Sequence, residues 1–533
     1  MACRNRVDLD NLSAPEQALW QAFPRGELVD LTRARGVRAR TIRSEVIAAL
    51  LLGAVPAEPG RVASIRLDGG RVAGTLSIGH AVIAAPVRLH RCDLQADIDL
   101  SGAKTRDIDL EGSSFAGLQA PLAEIDGNLN LADCACDGEI VLTGAHITGA
   151  LRLQRARLNH PGNVALRGNR LVVDDDLLAH EAVVEGQFRL NAARVGGIVL
   201  LDRATFLNAG DRALNGFKLS VGAGFLARAG FSATGEVALR DASIEREVDF
   251  RGATLSNPGG NALLATGLQA GTYVRFGDGF AAHGTVRLSR ARVGTEIDLS
   301  GVRLTCPDGD AVRCRWARAT TFTLDSDSSV DGTIDLRHSQ FTDIRDRLTC
   351  WSQSLRLSGL SYETLDPPLA AAQRVEWLHR DADGYLPQNY ETLAAMYRRL
   401  GDDASARVVL LAKERERRAQ LPWYGRAWSW LQEITVGYGY RPLRATAWLA
   451  VFLALGTLVF GLHHPPPLPG TAHPAFNPFI YTVDLLVPLV DLGLRNSYDP
   501  QGPQRWLAYF LVAVGWIFVT TIAAGILRVL QRK

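Results

Sequence analysis

The feature that most constrains the fold of this chain is a repeat with a period of 48 or 49 residues. A motif of the form Gly-x-(Ile/Val/Phe)-x-Leu begins at Gly138, Gly186, Gly235, Gly284 and Gly332. A second motif, a loop followed by a small residue and an aliphatic one, ends with the same spacing at Leu166, Leu214, Leu263 and Val312. Two markers in one register indicate a tandem repeat, so the middle of the chain is predicted to be a stacked array.

A shorter period of 11 residues lies inside each long repeat. Leu131, Leu142 and Leu153 are 11 residues apart, and the residues around such positions alternate between apolar and polar, as in Glu296–Leu299. Alternation with period two is typical of short strands with one buried face. Short strands separated by evenly spaced turns stack as the rungs of a solenoid. We expect a rung of about 22 residues, so that each long repeat holds two rungs and one protruding loop.

Three segments resemble the pentapeptide-repeat proteins: Ile98–Ala103, Val248–Ala253 and Ile297–Val302. In that family the central Leu or Phe points into a right-handed, four-sided β-helix. The resemblance implies a right-handed β-helix, although loops interrupt the five-residue period in every long repeat. The whole chain also resembles a group of actinobacterial membrane proteins identified as membrane-associated oxidoreductases.

The predicted fold class is mainly β: a right-handed β-solenoid with an N-terminal helical cap, followed by a helical hairpin and a two-helix transmembrane domain. The predicted domains are an N-terminal cap (1–60), the solenoid (61–361), an αα-hairpin of tetratricopeptide type (362–420), a juxtamembrane segment (421–442) and a transmembrane domain (443–533).

The mean hydropathy of +0.02 conceals two apolar stretches, 443–462 and 506–527. Each has about 20 residues with essentially no internal charge, which at about 1.5 Å per residue is enough to cross a hydrocarbon core of about 30 Å. Arginines flank the outer ends of the pair, and only Arg495 and Arg505 lie between the two stretches. The positive-inside rule then predicts a bacterial inner-membrane protein with the solenoid and both termini in the cytoplasm and the lipid bilayer as a partner.

A short helix over 478–487 is predicted between the two spans, either re-entrant or lying in the outer interface. Its candidate pore residues are Tyr481, Asp484, Pro488 and Asp491. Carboxylates at membrane depth are costly unless they face water or a partner, and rings of carboxylates select cations in oligomeric channels. The two aspartates share one face only if the helix continues past Pro488. The alternative is an interfacial helix whose aspartates reach the aqueous side.

Small residues in the second span predict close helix packing and a homo-oligomer. The candidates are Gly515, Thr520, Thr521, Ala524 and Gly525. Residues ahead of the first span are typical of the headgroup layer. They are Trp423, Trp428, Trp430 and Arg441.

No cofactor, metal or catalytic site is predicted. The segment Gly222–Ala227 spells a GxGxxA motif, but it lies in register with Gly271 one repeat later, which favours a solenoid position over a dinucleotide site. Thr435–Gly439 spells the potassium-channel filter sequence, yet it precedes the first span. Cys134 and Cys136 lack a second pair at zinc spacing. With 58 basic and 56 acidic residues, the charge gives no reason to expect a nucleic-acid partner.

Three functions follow, in decreasing order of support. The first is a non-enzymatic membrane protein whose cytoplasmic solenoid is a sensor or docking module for an oligomeric, channel-like two-span domain. The second is a membrane-anchored scaffold that binds a protein partner through the loops of the solenoid. The third is an oxidoreductase with an unrecognised cofactor site.

Overall fold

A computed structural model describes most of the chain as two compact units. The described residues are 11–325, 327–419, 422–423, 426, 442–468, 475–487 and 491–530, with the backbone only for 442–445 and 520–530. The first unit comprises Met1–Leu369 and Glu376–Gly384, and the second comprises Ala370–Val375 and Tyr385–Lys533. Trp428, Trp430, Arg441, Pro488 and the Thr435–Gly439 segment lie outside the described residues.

The first unit is a β-solenoid of about 13 turns, of the right-handed type, and the named strands pair in parallel. The prediction of a right-handed β-solenoid is confirmed. One sheet holds 24 of the described strands: Val29–Asp30, Ile65–Asp68, Val87–His90, Lys104–Thr105, Ile108–Asp109, Glu124–Ile125, Leu129–Asn130, His146–Ile147, Leu151–Arg152, Val172–Val173, Leu177–Leu178, Arg194–Val195, Val199–Leu200, Ser220–Val221, Phe225–Leu226, Ser243–Ile244, Val248–Asp249, Gln269–Ala270, Tyr273–Arg275, Arg292–Val293, Glu296–Asp298, Arg318–Leu324, Gln340–Asp346 and Thr364–Asp366. The other holds 18: Thr41–Arg43, Arg71–Ala73, Leu76–Ser77, Asp93–Leu94, Ile98–Asp99, Ser114–Phe115, Leu118–Gln119, Ala135–Cys136, Ile140–Val141, Arg157–Arg167, Val183–Arg189, Thr205–Asn215, Ser232–Ala238, Thr254–Leu264, Ala281–Arg287, Arg303–Arg313, Ser329–Asp335 and Leu355–Arg356.

The early rungs, which precede Arg157, form four ladders of very short strands. Each strand pairs with the strand one turn later in the chain, and this spacing is nearly constant. Examples from the four ladders are the pairs of Ile108 with Leu129, Ser114 with Ala135, Leu118 with Ile140 and Glu124 with His146. Each turn of chain therefore contributes one short strand to each of four sides, which is the four-sided arrangement that the resemblance implies.

The late rungs, which begin at Arg157, alternate between a longer and a shorter length. The first residues of successive strands pair in the order Arg157 with Val183, Val183 with Thr205, Thr205 with Ser232, and Ser232 with Thr254. One longer and one shorter rung together span the interval between successive motif glycines, such as Gly186 and Gly235. Each longer rung contains an 11-residue strand, and the extra residues of the rung bulge out of the middle of that strand as a loop.

The 11-residue period has its physical cause in a left-handed turn at the end of each half-rung. Asp133, Gly144 and Arg155 all have positive φ, between 55° and 66°. Such a turn costs a non-glycine residue about 1 kcal/mol or more. It also aims the backbone N–H at the next rung, as in the 2.8 Å bond from Asp133 N to Gln154 O. The hydrogen bond between rungs offsets the conformational cost, so glycine is not required at each turn.

The interior of the solenoid is filled by residues that point inward from all sides. Leucine, isoleucine and alanine fill most of the early rungs, whereas the late ones add phenylalanine rings to a largely aliphatic interior. Phe250, for example, is fully buried, with its ring centroid 5.8 Å from that of Phe225 and 5.9 Å from that of Phe276. Burial of each such side chain contributes about 2 to 3 kcal/mol.

The N-terminal segment begins the ladders as well as covering them. It contains the helices α1 (Ala14–Ala22) and α2 (Ser44–Leu51). Its strands Val29–Asp30 and Thr41–Arg43 pair with the first strands of the solenoid, so the stack already starts within the predicted cap.

The helices of the second unit fall into a hairpin and a C-terminal group. In chain order they are α3 (Ala371–Leu378, which crosses the boundary between the units), α4 (Pro387–Arg399), α5 (Asp403–Ala419), α6 (Pro442–Leu462), α7 (Pro478–Leu486) and α8 (Pro503–Leu530). Helices α4 and α5 bury Leu393, Tyr397 and Val409. In the C-terminal group, Phe460 of α6, Tyr481 of α7 and Leu511 of α8 share one apolar core.

The predicted spans 443–462 and 506–527 fall on α6 and α8. Within the residues that the structure describes, no helix is both long and apolar enough to cross a membrane. That finding does not support the predicted two-span transmembrane domain.

Candidate functional site

An open polar groove of about 750 Å³ follows one side of the late rungs. One row of its lining is a continuous ladder in which each residue pairs with the next. The row consists of Ser243, Gln269, Arg292, Arg318, Gln340 and Ser361. At about 4.8 Å between neighbouring strands, these six rungs extend for about 24 Å.

The second row of the groove has small side chains except at its two ends, which are glutamates. It consists of Glu245, Gly271, Gly294, Thr320, Thr342 and Glu363. A Cβ atom on Gly271 would lie 1.9 Å from the carbonyl oxygen of Glu245, and one on Gly294 would lie 1.9 Å from that of Gly271. Since real contacts are never so short, the close approach of the rungs demands glycine there and leaves the floor of the groove bare.

Two exposed arginines give the middle of the groove a positive charge. Arg292 and Arg318 are exposed on neighbouring rungs, and no ion pair joins either to a carboxylate within the described part of the chain. Some other arginines of the solenoid pair with acids of an adjacent rung, as Arg155 does with Asp133 and Arg203 with Glu181. Two like charges on adjacent rungs repel each other, so an anion placed between them would be stabilised.

The same rungs bury carboxylates on another side, and these are structural. Asp335 is fully buried and accepts hydrogen bonds from Arg315 and Arg337. Burial by itself would raise the pKa of Asp335, but the hydrogen bonds from the two guanidinium groups outweigh it and lower the pKa below the ordinary value. Asp335 therefore stays charged and acts as an ionic contact between rungs.

Four loops project from the late rungs at the spacing of the long repeat, at residues 160–163, 208–211, 257–260 and 306–309. Each loop lies against a motif glycine of the next rung. A Cβ on Gly235 would lie 2.4 Å from Asn208 O, and one on Gly284 would lie 2.5 Å from Asn257 O. Gly186 and Gly332 make the same approach to the first and fourth loops. The two sequence motifs are thus the two halves of a single contact.

Side chains within the loops serve mainly to close the turns. Asn208 Nδ2 donates to Arg212 O and Asn257 Nδ2 to Asn261 O, each at 2.8 Å. The His160 ring makes the corresponding contact, 3.0 Å from Val164 O. The loops, which are the binding surface in the second predicted function, therefore use much of their side-chain hydrogen bonding to close their own turns. The described residues show no such side-chain hydrogen bond for the first row of the groove.

The structure places the predicted pore residues in separate local roles. Tyr481 is buried, with its ring 5.0 Å from that of Phe460. Asp484 is 2% exposed and accepts from the backbone N–H groups of Leu492 at 2.9 Å and Arg495 at 2.7 Å. Asp491 is exposed and accepts from a nearby backbone N–H in a turn.

Helix α7 ends at Leu486, so the condition that would place Asp484 and Asp491 on one helical face is not met. Both oxygens of Asp484 hold the chain that follows α7, which explains how a carboxylate can be buried at this place.

The predicted packing residues lie on α8. A Cβ on Gly515 would come within 2.2 Å of Leu486 O, so glycine lets α8 approach the end of α7 within one chain. For Thr520, Thr521, Ala524 and Gly525 the structure describes the helical backbone only. Of the predicted interface residues, Trp423 is 75% exposed.

The GxGxxA segment is part of the solenoid. Gly222 and Gly224 separate the strands Ser220–Val221 and Phe225–Leu226, and Ser220 pairs with the groove residue Ser243. A dinucleotide site needs a helix whose N-terminus faces the pyrophosphate, and here a strand follows instead. Cys136 is buried as well, and burial raises the pKa of its thiol to about 11.

One group of side chains in the described residues has the composition of a metal site: His90, Asp109 and Glu111. The Arg88 guanidinium lies 3.3 Å from Asp109, and Asn130 Nδ2 donates to both carboxylates at 2.9 and 3.3 Å. These contacts satisfy the acids without a metal ion, so the group is interpreted as another cluster of ion pairs.

No family model, curated protein or solved structure matches this chain significantly. The groove is therefore the candidate site on its geometry alone. Sequence reasoning missed it, because the 48- or 49-residue register that aligned the glycines does not align Arg292 with Arg318, which pair only through the stacking of the rungs.

Proposed function

We propose that this protein is a binding scaffold: the solenoid holds a ligand along the groove, and the C-terminal helices attach the chain to a lipid bilayer. This is the second of the three functions expected from the sequence, with the groove in place of the loops as the binding surface. The observation that supports it best is the groove itself, about 24 Å long with exposed polar side chains on each rung. An elongated ligand suits such a surface better than a compact one.

Attachment to a membrane is supported by the apolar surface of α6 and α8. Nine large apolar side chains on these helices are between 43% and 76% exposed. They are Val451, Leu455, Leu458, Leu462, Trp506, Tyr509, Phe510, Trp516 and Ile517. The four on α6 recur every three or four residues and thus share one face. A contiguous apolar surface of this kind is typical of contact with lipid or a partner.

Selection of peptides on the full chain in lipid nanodiscs would test the scaffold. A displayed library of random peptides of about nine residues is long enough to fill the groove. We expect the selected peptides to bind at least about tenfold more weakly to the Gln340→Trp variant, which places a bulky ring in the groove. Ser220→Trp changes an exposed residue of the same ladder outside the groove and should leave binding intact. Failure to enrich any peptide, or equal losses in both variants, would contradict the proposal.

Flotation with phosphatidylglycerol-containing liposomes would test the attachment. The full chain should float with the lipid, and Leu455→Glu together with Leu458→Glu should weaken flotation, because a carboxylate on the exposed face opposes contact with the hydrocarbon. Extraction at alkaline pH separates helices that span the bilayer, which stay with the lipid, from helices on its surface. A chain that remains in the soluble fraction would refute the attachment.

An oligomeric channel coupled to the solenoid is a second candidate, favoured by the close packing of the short helix α7 against α6 and α8. A Cβ on Gly456 of α6 would lie 2.4 Å from Thr482 of α7 and 3.0 Å from Leu511 of α8. Planar-bilayer recording tests this candidate, and a monomer without conductance would contradict it. The oxidoreductase stays a prediction, and absorbance of the purified protein in the flavin and haem bands would test it.

A further inference from the structure

We propose that the groove is selective for an extended acidic peptide segment, whose central carboxylates lie over Arg292 and Arg318. This inference rests on the scaffold function proposed above and names the chemical class of its ligand. The juxtaposition that supports it is a pair of exposed arginines on neighbouring rungs, in a groove whose floor is bare backbone.

Other exposed arginines of the solenoid, such as Arg194, also have no ion pair in the described residues, but Arg292 and Arg318 pair with each other across neighbouring rungs inside the groove. Asp202 binds Arg228, Glu139 binds Arg167, and Asp310 binds both Arg313 and Arg356. No such ion pair holds Arg292 or Arg318 in the described residues. Their side chains are exposed and available to a ligand.

The spacing of the two guanidinium groups suits carboxylates. Neighbouring rungs are about 4.8 Å apart, and same-side residues of an extended peptide are about 6.7 Å apart. One carboxylate can bridge the two arginines, or two acidic residues on the same side of a peptide can each take one. Planar guanidinium and carboxylate groups form paired hydrogen bonds, which adds orientation to the attraction between the charges.

The shape of the groove suits an extended backbone. About 24 Å corresponds to about seven extended residues. The bare floor at Gly271 and Gly294 leaves room for the peptide backbone to approach. Gln269 and Gln340 flank the arginines in the ladder, and their amides can donate to and accept from peptide groups.

The two ends of the groove argue against a polyanion such as a nucleic acid. Glu245 and Glu363 lie at opposite ends of the second row, and the described residues show no ion pair to either. A nucleic acid carries a phosphate on every nucleotide and would bring negative charge to these glutamates as well as to the arginines. The charge pattern therefore matches a ligand with an acidic centre and neutral or basic ends.

Fluorescence anisotropy on the full chain in nanodiscs would test this inference. The probes are three labelled peptides of the same length as the library peptides, with glycine and serine ends and two central glutamates, glutamines or lysines, and a thymidine oligonucleotide as a fourth probe. We expect the glutamate peptide to bind at least about tenfold more tightly than the glutamine peptide. Raising the salt concentration should weaken its binding, because the ionic contact is exposed.

Substitutions test whether the two arginines cause the preference for the glutamate peptide. The double variant Arg292→Gln, Arg318→Gln should lose about tenfold or more in affinity for the glutamate peptide, since each charged hydrogen bond contributes strongly. Arg194→Gln changes an exposed arginine of the same ladder outside the groove and should have no effect. The double variant Glu245→Gln, Glu363→Gln should strengthen binding of the oligonucleotide while affecting the glutamate peptide less.

The possible failures are distinguishable. If the glutamine or lysine peptide binds best and Gln340→Trp abolishes that binding, the scaffold stands and the acidic preference is wrong. If Arg194→Gln weakens binding as much as the double arginine variant does, or if the oligonucleotide binds as tightly as the glutamate peptide, the inference is overturned. If none of the probes responds to any substitution in the groove, the scaffold proposal fails too.

Discussion

The early and late rungs of the solenoid stack through the same kind of hydrogen bonds but differ in length and in the residues of their interior. Early rungs have a nearly constant length, very short strands and a mainly aliphatic interior, whereas late rungs alternate between a shorter and a longer turn and include many phenylalanine rings in their interior. The hydrogen bonds between rungs are nevertheless continuous from one region to the other. A solenoid can therefore lengthen every second rung, provided that the added residues leave the ladder at one place.

The late rungs also gain a surface that the early ones lack. Each protruding loop needs a glycine in the next rung, because a Cβ there would strike the carbonyl oxygens of the loop. On another side, glycines that let the rungs approach closely produce the bare floor of the groove. Glycine thus shapes both features, through close approach of backbones and not through flexibility.

The largest effect should come from the aromatic interior. Phe250→Ala removes a fully buried ring and should lower the free energy of unfolding by about 3 to 5 kcal/mol. Phe250→Leu, which installs the residue typical of early rungs, should cost about 1 kcal/mol or more, because the space was filled by a ring. Hydrogen exchange of the neighbouring strands measures both changes. A leucine that costs nothing would show that early and late interiors have the same width.

The next effect concerns buried and exposed ion pairs. Asp335→Asn leaves two arginines without their buried partner and should cost about 3 kcal/mol, whereas Asp133→Asn in an exposed early pair should cost less than about 1 kcal/mol. Because the pKa of Asp335 is lowered in the folded state, its contribution is complete above the unfolded pKa of about 3.9 and is lost as the pH falls through the lower folded value. Thermal unfolding between pH 6 and pH 2 is the measurement. Equal costs for the two substitutions would remove this contrast between the regions.

A smaller effect is expected at the contact between loop and rung. Gly235→Ala places a Cβ 2.4 Å from Asn208 O at a φ of 114° and should cost about 2 to 3 kcal/mol. Gly210→Ala in the same loop has a φ of 83° but open space around it, and should cost about 1 kcal/mol. Urea unfolding of both variants measures the two free energies, one from a steric clash together with a positive φ and the other from the positive φ alone. Similar losses of stability would mean that only the backbone conformation of the glycine matters and that the contact with the loop does not.

The smallest effect is chemical and leaves stability unchanged. Cys306 lies in the fourth loop and is partly exposed, whereas Cys92 and Cys134 are buried in early rungs, where burial raises the pKa of each thiol, that of Cys92 to about 12. Iodoacetamide near pH 8 should therefore modify Cys306 first in a Cys3→Ser background, as followed by peptide mass spectrometry. Modification of Cys92 at the same rate under native conditions would mean that the early rungs open readily.

Much of the solenoid could be predicted from the chain because its turns and inward residues recur at fixed intervals. The spacing of Leu131, Leu142 and Leu153 follows the left-handed turns between half-rungs, and the alternation around them follows the pleat of the strands. The short helix was also foreseeable, since Asn477 precedes Pro478 and its side chain accepts from the backbone N–H groups of Phe479 and Ile480.

Features that depend on distant residues could not be read from the sequence. A shared face of Asp484 and Asp491 required α7 to continue, but α7 ends at Leu486, and Asp484 accepts from the backbone N–H groups of Leu492 and Arg495. Nothing in the local pattern marks these hydrogen bonds. The groove was missed for the same reason, because successive residues of its lining are separated by a full rung of chain.

The parallel β-stack, the length of its rungs and the position of its loops could be read from the sequence, because these depend on local turns and on the period of inward side chains. Which surface forms a groove, which carboxylates are buried and which arginines lack an acidic partner became visible only in the folded molecule. Those properties depend on what the neighbouring rung places about 4.8 Å away, and that is set by register between rungs.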